Sequence, residues 1–308
     1  MGSFLQFTLS RALQGVVVLF GVSLFSFLLI FLAGDPASGL AQPDWTREQV
    51  DALRRELGLD RPLVVQYGEF VGRAARGDLG QSFRQRRPVA DLISERIAAT
   101  LELAATAFVL SILVGLPLGI LAAVYRDRWI DQASSVVALG AQAVPTFWLG
   151  IMLIVVFAVE LRWFPVSGRG TWAHLVLPTI TLATYSIARN ARLVRSSLLD
   201  VIDQDYVRTA RAKGLAGHVV VLKHALRNAL LPVLTVMGLD LGALLSGAVI
   251  TEMVFAWPGV GRLIVNAVAS RDLPLVQGSV LLVGCVFVVV NVLVDLTYAL
   301  VNPRMRPS

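Results

Sequence analysis

The chain has 308 residues, a formal net charge of +6, a mean hydropathy of +0.71 and only 16% charged residues. A soluble domain carries about 25% charged residues, so this composition excludes an ordinary soluble fold. It also argues against nucleic acid as a partner, because basic residues in so apolar a chain mark the cytoplasmic side of a membrane. The single cysteine, Cys285, lies in an apolar block and excludes an internal disulfide.

Six apolar blocks, at about 12–33, 101–124, 134–159, 174–190, 229–252 and 275–301, are read as membrane helices. A helix needs roughly 20 apolar residues to cross a bilayer. The first block, Ala12 to Ala33, is longer than the 7–15-residue core of a signal peptide and is expected to be retained. The stretch 34–99 follows, with ten arginines balanced by ten carboxylates, and is expected to form a small ordered cap. Within it, Asp51 to Gly58 reads as a short amphipathic helix stopped by glycine. Val89 to Ala99 reads as a helix leading into the membrane. Pro145 falls inside the third block and Pro274 at the start of the sixth, each a packing kink or a gating hinge. The fourth block is short, holds Pro178 and ends in Arg189 and Arg192, which can snorkel.

Lysine and arginine placement sets the orientation. One side holds Arg11, Arg126, Arg128, Arg304, Arg306 and the basic residues between Arg189 and Arg227. The short loops of the other side hold only Arg162, Arg169, Arg262 and Arg271. Both termini are therefore expected in the cytoplasm and 34–99 outside.

The inner loop 200–227 carries Arg208, Arg211, Lys213, Lys223 and Arg227. Asp203 or Asp205 is expected to cap a helix through Tyr206, Val207, Arg208, Thr209, Ala210, Arg211, Ala212 and Lys213, stopped by Gly214. A second helix is expected from Val219 to Arg227. Ala210 and Ala212 would let the first helix approach a partner's backbone, as a helix does in a groove. A solvated basic loop accounts for the same residues equally well.

Three carboxylates fall within or at the ends of spans: Glu102, Asp240 and Asp295. A charge near a helix centre costs at least ~2.5 kcal/mol. Asp240 is mid-block and is either a pore residue or the partner of a polar group on a neighbouring subunit. Glu102 and Asp295 read as hydrated anchors. The segment Glu252 to Asp272 is aromatic and glycine-punctuated. Phe255 and Trp257 are either gate residues or members of an interfacial aromatic belt.

The run Arg208-Thr209-Ala210-Arg211-Ala212-Lys213-Gly214 resembles the EAA motif of ABC importer permeases. Ala210 and Gly214 match it, Arg208 and Thr209 depart from it, and Leu231-Pro232 stands for its later Leu-Pro. Further matches resemble the dipeptide and oligopeptide branch, B-type permease: Gly34-Asp35-Pro36, Leu57 to Pro62, Arg76 to Gly80, Arg96 to Leu103, Phe255 to Arg262 and Arg271 to Pro274. The resemblance implies an all-α membrane protein: a first span at 1–33, the extracytoplasmic cap at 34–99 and a five-helix permease core at 100–308. It also implies an ATPase-coupling surface at Tyr206, Arg208, Thr209, Ala210, Arg211, Ala212, Lys213, Gly214, Leu215 and His218. Candidate pore or gate residues are Asp240, Met237, Phe255, Trp257, Pro258, Arg271 and Asp272. Implied partners are a second, different permease, one or two ABC ATPase subunits, an external solute-binding protein and the lipid membrane. No phosphate-binding G-x-x-x-x-G-K-[ST] loop is present. The chain is thus expected to bind no cofactor and catalyse nothing, with ATP and magnesium held by the ATPase partners.

Three other readings compete. A membrane enzyme is disfavoured because His174, His218 and His224 lack a metal-ligand spacing. A stand-alone channel or carrier leaves the basic loop unexplained. Within the family, nickel, glutathione or an opine replaces the peptide as solute.

Overall fold

In a computed structural model of the chain, residues 2–32, 37, 45–56 and 58–301 are described. Among them the backbone is helical throughout, apart from turns and one antiparallel bridge between Gln81 and Pro88. Gly34-Asp35-Pro36, Leu57, Arg304 and Arg306, singled out in the sequence, lie outside the described residues, as does the side chain of Asp295.

Helix α1, Gly2–Leu32, starts well before the apolar block at 12. Helix α2, Arg47–Glu56, has Glu48 in its first turn and Arg54 and Arg55 in its last, charges that complement the helix dipole. Helix α3, Leu63–Ala74, follows Pro62 and was not anticipated from the sequence. Helix α4, Val89–Val124, is one 36-residue helix, so the lead-in at 89–99 and the second span are continuous.

Helices α5, Trp129–Ala143, and α6, Thr146–Leu153, replace the single third span. A π-helical stretch, Ile154–Glu160, extends α6, and the two halves are bent by 103°. The break has a local cause. Val144, before Pro145, is extended at φ −78° and ψ 125°, the conformation a following proline ring imposes.

Helix α7, Trp172–Ile202, has 31 residues and contains the expected fourth span. Thr171 and His174 close a capping box at its start, which gives His174 a structural task. Helix α8 is Asp205–Ala212. A short turn at Gly217–Val219 and a π-helical turn at Val220–Ala225 run directly into α9, Leu226–Val254. Helices α10, Val260–Ala269, and α11, Leu273–Val301, complete the chain. Among the described residues four helices are long and apolar enough to cross a membrane, or five if the bent α5–α6 pair is one span. Helix α7 is outside that set, and its second half carries Arg189, Arg192 and Arg195.

The chain forms two compact units. One contains residues 1–98 and 259–292. Its interior joins Val89, Leu92 and Ile93 of α4 to Val260, Leu263 and Ala267 of α10, and Phe27 to Phe70 and Leu281. The cap residues therefore share a core with α1, α10 and α11. The other unit contains 99–258 and 293–308. Its interior joins Leu103 and Ala107 to Leu182, Ala183, Leu244, Ala248 and Trp257.

Helices α4 and α7 pack closely at Gly115 and Gly119. A Cβ on Gly119 would stand 2.5 Å from the Ala191 carbonyl oxygen, and one on Gly115 3.1 Å from that of Ile187. This is the small-xxx-small pattern that lets membrane helices approach through their backbones. Gly119→Leu is expected to force the pair apart and destabilise the chain by at least about 1–3 kcal/mol. Thermal unfolding in detergent checks this, with Gly140→Ala as a neutral control because no described residue lies within 4 Å of its Cβ position.

Candidate functional site

Helix α8 sits on its own chain through two side chains. Val207 and Ala210 are buried, and pack with Ala123, Leu198, Val220, Ala225 and Ala229. Every other residue from Asp203 to His218 is exposed. The outward surface thus presents Tyr206, Arg208, Thr209, Arg211, Ala212, Lys213, Leu215 and His218 together. Asp205 in the first turn and Arg211 in the last complement the helix dipole.

Three details correct the sequence reading. The capping position is Gln204, without a side-chain hydrogen bond, while Asp203 ends α7 and Asp205 lies in the first turn of α8. Ala210 turns inward, so its small size brings α8 close to its own core rather than to a partner. The second helix of the loop does not stop at Arg227, because the π-helical turn joins it to α9. Gly214 has φ +76°, the left-handed backbone that glycine adopts without a steric cost, and ends α8 as expected.

The candidate pore and gate residues are mostly enclosed. Asp240 is 1% exposed and accepts a hydrogen bond from Arg189 Nη1 at 2.6 Å. One partner thus belongs to the same chain, and the pair ties α9 to α7. Met237 is buried against Val194 and Val233. Phe255 packs with Ala158 and Leu177, and Trp257 with Leu103 and Leu182. Neither aromatic ring faces an interfacial belt, since both are 1% exposed. Pro258 is half-buried, and Arg271 is exposed with φ +55°.

The turn at 252–257 follows from helix-end chemistry. Trp257 N–H bonds the Glu252 carbonyl and Ala256 N–H that of Met253, the paired bonds of a Schellman end. Ala256 takes the left-handed position at φ +49°. That geometry drops Trp257 into the core, where its Nε1–H donates to the Ala99 carbonyl at 2.9 Å.

Sequence reasoning missed the polar residues around this turn. Glu252 is fully buried and accepts a hydrogen bond from Thr100 at 2.6 Å. Glu102, read as a hydrated anchor, receives two hydrogen bonds from Arg169, from Nε at 2.8 Å and Nη2 at 2.6 Å. The Arg169 guanidinium also lies 5.8 Å from the centre of the Trp257 ring. In the other unit, Asp272 is buried and accepts bonds from the Ser82 hydroxyl and from the backbone N–H groups of Phe83, at 3.1 Å, and Arg84, at 3.3 Å. It pins the 82–84 turn.

The fold and this surface define a multi-pass helical membrane protein that presents one short, basic helix. The binding-protein-dependent transport system inner membrane component family matches residues 115–307, and the N-terminal part of the same system's membrane component matches residues 4–104. The chain belongs to that family. It is 45% identical over 303 residues to the glutathione transport system permease protein GsiC of Escherichia coli (strain K12), covering 98% of this chain and 99% of that protein. The protein of the same name from Shigella dysenteriae serotype 1 matches equally well. Among solved structures, the inward-facing MetNI methionine ABC transporter aligns with a TM-score of 0.58 at 20% identity, over 68% of this chain and 96% of that one. An amino acid ABC transporter solved with histidines aligns with a TM-score of 0.53 at 15% identity, over 70% and 94%. These likenesses show the all-α ABC permease fold.

Proposed function

We propose that this chain is one of two permease subunits of an ATP-driven importer, and that it carries a short peptide or a peptide-like solute such as glutathione. The carrying observation is helix α8, anchored inward by Val207 and Ala210 with its remaining residues turned outward. In the orientation set by the lysine and arginine asymmetry, α8 lies in the cytoplasm with both termini, and 45–88 lie outside. One or two ATPase subunits grip α8 and hold ATP and magnesium. A second, different permease completes the pathway, and an external binding protein delivers the solute. Support for the solute comes from the glutathione permeases, since glutathione is itself a tripeptide. Force applied at α8 has a short mechanical route, because α7 precedes it directly and the Val220–Ala225 turn passes into α9.

Gly214→Leu separates coupling from folding. Among the described residues nothing lies within 4 Å of the Cβ position, so the internal cost is that of the left-handed backbone, about 1–2 kcal/mol. The variant is expected in the membrane at near-normal amount, with transport lost. Vesicles holding the complete assembly are expected to accumulate labelled glutathione or dipeptide only with ATP and binding protein present. Accumulation that persists without the ATPase would overturn the importer assignment. ATP-dependent uptake of nickel but not of any peptide would overturn the solute.

A further inference from the structure

In the unit 99–258, two neighbouring helices turn unlike faces outward at one depth. Helix α4 exposes Val109, Leu113, Leu121 and Val124, and carries no charge from Leu103 to Val124. Helix α7 exposes Tyr185 and Arg192, and between them the Arg189 side chain is 37% exposed. Tyr185, Arg189 and Arg192 follow the i, i+4, i+7 spacing of one helix face.

The packing of the two helices sets the depth. Gly115 meets Asn190 and Gly119 meets Val194, so α4 and α7 run parallel there. Helix α4 ends at Val124, two residues before Arg126. At 1.5 Å per residue, Arg189 lies roughly 15 Å inside that end and Arg192 roughly 10 Å. Asp240, the partner of Arg189, stands roughly 21 Å from the other end of its own span at Val254. Charge at such depth faces a water-filled path or a polar partner rather than acyl chains. The exposed side of α4 suits lipid, and that of α7 does not.

The arginines of α7 are unevenly matched. Arg189 is bonded to Asp240 and Arg195 to Asp131. Arg192 donates Nη1 to Gln142 Oε1 at 3.0 Å, a neutral group. Among the described residues no carboxylate lies within ion-pair distance of Arg192. The three arginines thus outnumber their carboxylates by one, and the unmatched cation is the exposed one. A guanidinium offers a planar fork of donors that fits a carboxylate. The phenol of Tyr185, on the same face, adds an O–H donor.

We propose that Tyr185, Arg189 and Arg192 form a carboxylate-binding stripe in the solute path. Arg192 is its main contact, and Gln142 and Asp240 hold the two guanidiniums in place. The proposal rests on the permease reading above and narrows the solute to one with a free carboxylate, such as a peptide C-terminus.

Two measurements on the complete assembly test it. In nanodiscs, with Cys285→Ala as background, single cysteines from Tyr185→Cys, Arg192→Cys, Val109→Cys and Leu113→Cys meet an anionic methanethiosulfonate. Labelling is expected at 185 and 192 but not at 109 and 113, and excess dipeptide should slow it at 185. No labelling at 185 and 192 would place the stripe under the second permease and overturn the proposal. In vesicles with binding protein and ATP, uptake of a dipeptide is compared with that of its C-terminal amide. Arg192→Gln is expected to lower the dipeptide-to-amide ratio about tenfold from that of the unaltered assembly, the loss of one hydrogen bond to a charged group. Arg192→Lys keeps the charge without the fork and should restore part of it. Equal losses for both solutes would show a packing residue and overturn the proposal. Uptake of neither solute by the unaltered assembly would overturn the importer reading instead, and the labelling pattern would still decide the stripe.

Discussion

Trp257→Ala is expected to lower the stability of the folded chain by about 3–5 kcal/mol, the range for truncating a buried tryptophan. The ring is 1% exposed and fills the space among Leu103, Ala107, Leu182, Leu244 and Ala248. Truncation leaves a void that helices fixed elsewhere cannot close, and strands the Ala99 carbonyl that Nε1–H now satisfies. Trp257→Phe keeps most of the volume and loses that one hydrogen bond, about 1 kcal/mol. Thermal unfolding in detergent should therefore rank wild type, Trp257→Phe and Trp257→Ala in widely spaced steps. A Trp257→Ala protein with the wild-type midpoint and no transport would show a gate residue instead of a core one.

Arg195→Ala is expected to cost a similar amount by a different mechanism. Asp131 is 4% exposed, and Arg195 reaches it with a fork, Nε at 2.5 Å and Nη2 at 2.7 Å. The Asp127 backbone N–H adds a third bond at 3.0 Å. The pair fastens the start of α5 to α7. Removing the arginine alone leaves a buried carboxylate uncompensated, a loss of about 3–5 kcal/mol. Arg195→Lys keeps the charge but not the planar fork, so it is expected to recover only part of the loss. Asp131→Asn combined with Arg195→Ala should be more stable than Arg195→Ala alone, because the unpaired charge is gone. Equal midpoints for the single and double variants would show that the carboxylate is not the source of the penalty.

What the sequence disclosed follows from the range of the forces involved. Long apolar blocks need no partner to be seen, so the spans of α1, α4, α9 and α11 were legible. The bend at Pro145 was legible as a site but not as a 103° break, because proline fixes its own φ and its neighbour's backbone, not the direction of the next helix. The exposed loop at α8 was legible from its charge and from Gly214. Its inward face was not, because Ala210 and Ala212 are the same residue in sequence and only packing on Ala123 and Leu198 tells them apart.

Ion pairs were the least legible part. Arg189 and Asp240 lie 51 residues apart, Asp131 and Arg195 64, and Glu102 and Arg169 67. One chain gives no sign of which charges meet across such separations. The arginines were counted for orientation, and their structural work stayed hidden. Helix α3 was missed although Tyr67, Phe70 and Ala74 recur at the spacing of one helix face. The close approach at Gly115 and Gly119 did have a signal, G-x-x-x-G inside an apolar block.

The central claim is that the outward side of α8 meets an ATPase while Val207 and Ala210 hold it to this chain. Single cysteines at Thr209, Lys213, Val207 and Ala210, crosslinked in the intact assembly, test it most directly. Adducts with an ATPase subunit are expected from Thr209→Cys and Lys213→Cys and absent from Val207→Cys and Ala210→Cys. Labelling of Thr209→Cys from the external side, or four cysteines that join no ATPase through the full cycle, would contradict it.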